Sequence, residues 1–144
     1  MILCVAAVVR FWAIGFCLPS TVCRPDEEAV ASIAINFFAR DFNPHFFDWP
    51  ALFMYIVAAG VAGLFQTFRI FGWIRSEYHF LQWIAANPAP VFLIARIMSA
   101  TAGVATVWIV FKVAGRLFGR LEALVAALFL ALAFLHVRTS ASPT

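Results

Sequence analysis

Charged residues are scarce in this 144-residue chain, where Asp, Glu, Lys and Arg make up 12 % and hydrophobic residues make up 65 %. Soluble domains carry roughly a quarter charged residues, so this composition excludes an ordinary soluble protein and predicts an integral membrane protein. The net charge is also small, at +3, and no basic groove interleaved with aromatic residues accompanies it. We therefore expect no nucleic-acid partner.

Cysteine is rare, and the common nucleotide- and metal-binding motifs are missing. The three cysteines, Cys4, Cys17 and Cys23, have no C-x-x-C spacing, and two of them lie in an apolar run. This pattern is typical of small hydrophobic residues and excludes a disulfide framework. The chain has no Walker loop, G-x-G-x-x-G or H-E-x-x-H motif. These absences exclude the phosphate-binding loops and zinc-binding helices that such motifs build.

Long apolar runs take the place of charge. Four of them are long enough to cross about 30 Å of hydrocarbon: Ile2 to Leu18, Ala51 to Phe71, Val91 to Phe111 and Leu121 to Val137. A signal peptide is the alternative for the first run. Because that run has no basic n-region and carries Arg10 in its middle, we expect a retained membrane anchor instead.

Three consecutive acids follow the first run, in the segment R-P-D-E-E at residues 24–28. Charge is costly beside lipid, which favours a functional role. The alternative is an acidic first helical turn, because Pro and acids both suit a helix N-terminus. From Asp26 to Arg40, apolar residues recur at helical spacing, with Glu28, Ser32 and Asn36 on the opposite side. This pattern predicts an amphipathic helix lying on the membrane.

Basic residues indicate the topology. Lys112, Arg116 and Arg120 flank the short connection between the last two runs, which predicts that this connection is cytoplasmic. If all four runs cross the membrane, Asp26 is cytoplasmic as well. If Ala51 to Phe71 lies along the interface, Asp26 is on the outer side. Hydropathy favours crossing, but the Gly, Gln, Thr and Arg residues of this segment permit both arrangements.

Short motifs recur in a definite order along nearly the whole chain. They are Pro25-Asp26-Glu27, Asn43-Pro44-His45-Phe46, Trp49-Pro50-x-Leu52, Tyr55, Ala95-Arg96, the turn from Gly115 to Arg120, and Leu135-His136-Val137-Arg138. In this order and spacing the chain resembles the N-terminal part of GT-C glycosyltransferases. It is most similar to the bacterial protein-O-mannosyltransferase-like branch, whose enzymes transfer sugars from polyprenyl-phosphate donors.

The resemblance implies an all-α multi-pass protein of the cell membrane, with its active site outside the cytoplasm. Three transmembrane helices are expected at 1–18, 91–112 and 121–137, with a cytoplasmic turn at 113–120; four spans are the alternative. Residues 19–90 then form the first outer loop, which holds interfacial helices at 26–40 and 51–71, and residues 138–144 begin the second outer loop.

Two features depart from the family pattern. Ser76 to Pro90 is a longer insertion than the resemblance leads us to expect. The family's second acidic motif is anticipated just beyond Thr144. We therefore expect an N-terminal piece of a larger enzyme, inactive by itself.

The chemistry of sugar transfer suggests roles for individual residues. Transfer with inversion needs a base beside the acceptor hydroxyl, and a carboxylate is the usual choice. The resemblance assigns this role to Asp26, with Glu27 as its orienting or acceptor-binding neighbour. The departing lipid phosphate needs a metal ion or basic side chains to stabilise its charge. The substrate-binding candidates are Arg24, His45, Asp48, Arg96 and Arg138.

Each candidate also has a plainer interpretation. A charge inside a span, as at Arg96 and Arg10, costs about 2 to 3 kcal/mol, and the side chain either serves a site or snorkels to the headgroups. His45 is otherwise a solvated loop residue, Asp48 a helix cap near Pro50, and Arg138 a headgroup anchor.

The expected partners are a polyprenyl-phosphate-sugar donor and membrane lipid, while the acceptor stays unidentified. No metal ligand is assigned, and a divalent metal requirement stays open. The alternative for the whole chain is a small non-enzymatic membrane protein with a structural or transport role. In that case the acids only cap an interfacial helix.

Overall fold

The computed structural model describes residues 2–12, 14–15, 25–38, 43 and 51–133, and every regular element among them is an α-helix. The all-α class predicted from the sequence is confirmed for this part of the chain. In chain order the helices are α1 (Ile2–Trp12), α2 (Pro25–Phe38), α3 (Ala51–Ile70), α4 (Glu77–Ala86), α5 (Ala89–Leu117) and α6 (Arg120–Leu132).

Two of these helices are long and apolar enough to cross a membrane, namely α3 with 20 residues and α5 with 29. Only 22 % of the apolar window of α3 and 28 % of that of α5 is buried inside the protein, so neither resembles the core helix of a soluble domain. These helices and the apolar composition support membrane association.

The expected set of three spans is not found among the described residues. Helices α1 and α6 have 11 and 13 residues, which makes them about 16 and 20 Å long, shorter than the hydrocarbon core. Residue 13, directly after α1, and the residues from 134 onward, just after α6, lie outside the described part of the chain. The second helix of spanning length is α3, the segment that the resemblance implies to be interfacial, so its length alone does not separate crossing from lying in the interface.

The chain divides into two compact units, which we call the terminal unit (Met1–Phe16 with Arg96–Thr144) and the loop unit (Cys17–Ala95). In the terminal unit, α6 presents Ala123, Ala127 and Ala131, all fully buried. Their four-residue spacing places them on one face, and small side chains there let α1 approach closely. Ala6 of α1 packs in the same cluster.

In the loop unit, α2 packs along α3. Val30 and Ala34 of α2 form a buried cluster with Val57 of α3 and with Ala95. The predicted amphipathic pattern is confirmed, because these residues are buried while Ser32 and Asn36 on the other side are exposed. The apolar face of α2 is covered by protein, however, where the sequence analysis expected membrane lipid.

Helix α4 was not predicted, and it occupies the insertion at Ser76 to Pro90. It holds Phe80 and Ile84 one turn apart, and both are buried in the largest apolar cluster of the loop unit. The ring of Phe80 lies 5.0 Å from that of Phe65 in α3 and 5.5 Å from that of Phe38 in α2. An acid in the first turn and this i, i+4 apolar pair were the available signals for a helix.

Candidate functional site

The acidic motif lies at the start of α2. Helix α2 begins at Pro25, so Asp26, Glu27 and Glu28 occupy its first turn. Proline suits this position, because its missing N–H would have no helical partner there, and the positive end of the helix dipole favours nearby carboxylates. The side chains of Asp26 and Glu27 lie outside the described residues, whereas that of Glu28 is exposed.

Four of the substrate-binding candidates also lie outside the described residues: Arg24, His45, Asp48 and Arg138. Their predicted roles stay predictions. Arg96 is the candidate whose side chain the structure describes.

Arg96 is buried on α5, with only 1 % of its surface exposed. Its Nη1 donates a hydrogen bond to the carbonyl oxygen of Ile14, at 2.8 Å. Both residues belong to the terminal unit. The guanidinium therefore turns inward to the chain just after α1, and it does not reach out along the surface as a snorkelling side chain would.

Arg10 is more deeply enclosed. Its side chain is completely buried and folds back along α1, where Nη1 donates to the carbonyl oxygen of Ala6 at 3.0 Å. Its Nε and Nη2 are buried without a hydrogen-bond partner among the described residues. Arg10 therefore hydrogen-bonds within α1, whereas Arg96 hydrogen-bonds to the chain just after α1.

The unpaired Nε and Nη2 of Arg10 favour the binding of a hydrogen-bond acceptor. A buried donor without a partner costs about 1 to 3 kcal/mol, and more when the group is charged. The guanidinium donates in a planar fork that matches the oxygens of a carboxylate or phosphate. Arg10 was noted in the sequence as a charge within a span, but it was not placed among the site residues. Its burial and unpaired nitrogens are properties of the fold that a hydropathy pattern does not contain.

The net charge of the terminal unit also favours an anionic acceptor. The sequence of the unit contains six basic residues (Arg10, Arg96, Lys112, Arg116, Arg120 and Arg138) and a single acid, Glu122. Glu122 is exposed in the first turn of α6. The loop unit holds the other six acids, including Asp26 and Glu27, and four basic residues. The terminal unit therefore has a large excess of positive charge, and two of its guanidinium groups are buried.

No group of three or more His, Cys, Asp or Glu side chains is assembled within the described ranges. Cys4 is a free thiol exposed on the surface of α1.

Comparison with known proteins gives no match, since no family model, no curated protein and no solved structure corresponds to this chain.

Proposed function

We propose that this chain is part of a membrane glycosyltransferase that uses a polyprenyl-phosphate-linked sugar. The observation that carries the proposal is the buried guanidinium of Arg10, whose Nε and Nη2 have no partner in the described part of the protein. A second buried arginine, Arg96, belongs to the same unit. A phosphate with several negatively charged oxygens is the kind of anion that a buried guanidinium accommodates.

In this proposal Arg10 and Arg96 stabilise the leaving group. As the bond between the sugar C1 and the phosphate oxygen breaks, its electron pair stays on the lipid phosphate. The added negative charge is stabilised by cations that are already in place in a medium of low dielectric constant. Arg24 and Arg138 are the further basic residues that we assign to substrate binding, with His45 and Asp48 on the acceptor side.

Asp26 acts as the general base, and Glu27 orients it or binds the acceptor. The Asp26 carboxylate takes the proton of the acceptor hydroxyl while the acceptor oxygen forms its bond to C1, on the face opposite the leaving phosphate. Helix α2 begins at Pro25, so both acids stand next to each other in its first turn, which supports a shared role. Their proposed location is outside the cytoplasm.

The proposal is tested by measuring donor turnover with the complete gene product. Membranes that contain this protein are given a polyprenyl-phosphate sugar, with and without divalent metal, and the release of polyprenyl phosphate is measured. We expect Asp26→Asn to lower turnover by about 10²-fold, because it removes the base but keeps the shape. Glu28→Gln is the matched control in the same helical turn, and it should have a mild effect.

Membrane insertion is measured in parallel, so that a loss of protein is not mistaken for a loss of catalysis. Equal losses from the two substitutions, or no loss from Asp26→Asn, would assign the acids to helix capping. The exposure of Glu28 at the helix N-terminus is compatible with that alternative. In that case the chain is better described as a small non-enzymatic membrane protein.

A further inference from the structure

A groove of about 370 Å³ runs along α3 in the loop unit. Phe37 and Phe38 of α2 line one side of the groove, and Glu77 at the start of α4 also lines it. The remaining lining residues belong to α3 and are Tyr55, Ala58, Ala59 and Ala62. This groove contains none of the residues assigned to sugar transfer. Its volume lies in the usual range of small-molecule sites.

Apolar side chains line most of the groove, and we call the stretch of alanines on α3 its floor. The ring of Phe37 stacks on that of Tyr55, with centroids 4.8 Å apart and an interplanar angle of 12°. From Tyr55 to Ala62 the helix advances about 10 Å, at 1.5 Å per residue, and the lining residues between them, Ala58 and Ala59, carry only a methyl group. The shape therefore suits a narrow hydrocarbon chain lying along α3.

Glu77 is the charged residue of the groove. Its side chain is exposed, and in the described part of the chain no hydrogen bond or ion pair reaches its carboxylate. An ionised carboxylate only accepts hydrogen bonds, so its natural partner is a cation that carries N–H groups. A primary ammonium supplies three such donors, whereas a trimethylammonium supplies none.

We propose that this groove binds an aminophospholipid, with the primary ammonium of its headgroup on Glu77 and one acyl chain along Ala58, Ala59 and Ala62. Lipid is the occupant indicated by α3 itself, which is of spanning length and has most of its apolar surface outside the protein core. The site lies partly on α4, within the segment that departs from the resemblance. The proposal does not depend on sugar transfer.

Lipid retention tests the site directly. The purified protein is exchanged into detergent with phosphatidylethanolamine, phosphatidylcholine or phosphatidylglycerol, and bound lipid is counted by native mass spectrometry. We expect retention of phosphatidylethanolamine to exceed that of phosphatidylcholine by about tenfold, the effect of one charge-assisted hydrogen bond. Glu77→Gln should abolish this preference. Glu122→Gln, which changes another exposed acid in the first turn of its helix, should preserve it.

A second variant tests the apolar part of the groove. Ala59→Trp fills the floor and should lower the retention of all three lipids, while the helical content measured by circular dichroism stays unchanged. A soluble alkylamine distinguishes a lipid site from a general amine site. The proposal is overturned if Glu77→Gln keeps the preference for phosphatidylethanolamine, if Ala59→Trp retains lipid as the wild type does, or if the alkylamine binds and phosphatidylethanolamine does not.

Discussion

At the residue scale, the most informative side chain is Arg10. The sequence alone indicates that Arg10 is energetically unfavourable, because a charged side chain in an apolar run is costly in any orientation. The fold adds that the guanidinium is fully buried, with one nitrogen bonded to Ala6 and two without a partner among the described residues. A buried charge of this kind rarely contributes to stability, because its replacement by a well-packed apolar side chain is often neutral or stabilising.

We predict that Arg10→Met raises the free energy of unfolding by about 1 to 2 kcal/mol in the absence of an anionic ligand, because it removes an unpaired buried charge at similar side-chain length. Thermal unfolding in detergent provides the measurement. Arg75→Met, at an exposed position after α3, is the control and should change stability by less than about 0.5 kcal/mol. If Arg10→Met instead lowers the free energy of unfolding by several kcal/mol, Arg10 already has a hydrogen-bond partner within the protein.

The same substitution bears on function. If Arg10 binds the donor phosphate as proposed, Arg10→Met should lower donor turnover, so the variant is expected to be more stable and less active. A stable variant with unchanged turnover would remove Arg10 from the proposed phosphate site. The sequence indicated Asp26, Glu27 and Arg96 as site candidates. It identified Arg10 only as a charge within a span, because hydropathy records the presence of a charge and not whether its hydrogen bonds are satisfied.

At the scale of the helices, the sequence predicted the faces of α2 but not what covers them. Periodicity separates an apolar side from a polar side, and the buried Val30 and Ala34 confirm that separation. It does not distinguish a lipid surface from a neighbouring helix, since both accept the same apolar residues. Only the structure shows that the neighbouring helix α3 covers the apolar side of α2. Helix α4 was missed because its ten residues make only about three helical turns, so its apolar pattern repeats too briefly to stand out.

Packing of α2 on α3 makes Ala34 sensitive to size. Because Ala34 is fully buried beside Val57, we predict that Ala34→Leu overpacks the contact and lowers stability by about 1 to 3 kcal/mol. Ala102→Leu, at an exposed position on α5, should be neutral within about 0.5 kcal/mol. Thermal unfolding of the two variants is compared in one detergent. Unchanged stability for Ala34→Leu would mean that this face of α2 is open to lipid.

The connection between α5 and α6 requires a glycine. Gly119 has φ 114° and ψ 175°, a conformation that residues with a Cβ essentially do not adopt. We predict that Gly119→Ala costs about 1 to 3 kcal/mol. Gly115→Ala is the matched control within α5, where the added Cβ would meet Ala123 at an ordinary 3.6 Å. It should stabilise the helix by up to about 1 kcal/mol. Equal effects in thermal unfolding would contradict the role of the turn.

At the scale of the whole molecule, charge is distributed unevenly between the two units. The terminal unit holds six basic residues and one acid, and the loop unit holds six acids and four basic residues. The basic residues around the turn at Gly119 favour its placement in the cytoplasm. The apolar runs and their helical periodicity were sufficient to predict the all-helical class of the described residues, but not the number of spans. Helix α3 satisfies the length criterion for crossing, and that criterion is also met by a helix that lies along the interface.

Labelling with a membrane-impermeant maleimide distinguishes these arrangements. Three variants carry one cysteine each. The first keeps Cys23 and has Cys4 and Cys17 replaced by Ala. The other two have all three native cysteines replaced by Ala and carry either Ser76→Cys after α3 or Phe118→Cys in the turn that follows α5. If α3 lies in the interface, we expect Cys23 and Ser76→Cys to react in intact cells, and Phe118→Cys to react only after permeabilisation. Cys23 and Ser76→Cys then share the outer side, because no helix crosses between them. Phe118→Cys lies on the other side, because α5 crosses between Ser76 and Phe118. If α3 crosses, Cys23 and Ser76→Cys lie on opposite sides and only one of them reacts in intact cells. Reaction of Phe118→Cys in intact cells, with protection of Cys23, would reverse the orientation inferred from the basic turn and place Asp26 in the cytoplasm.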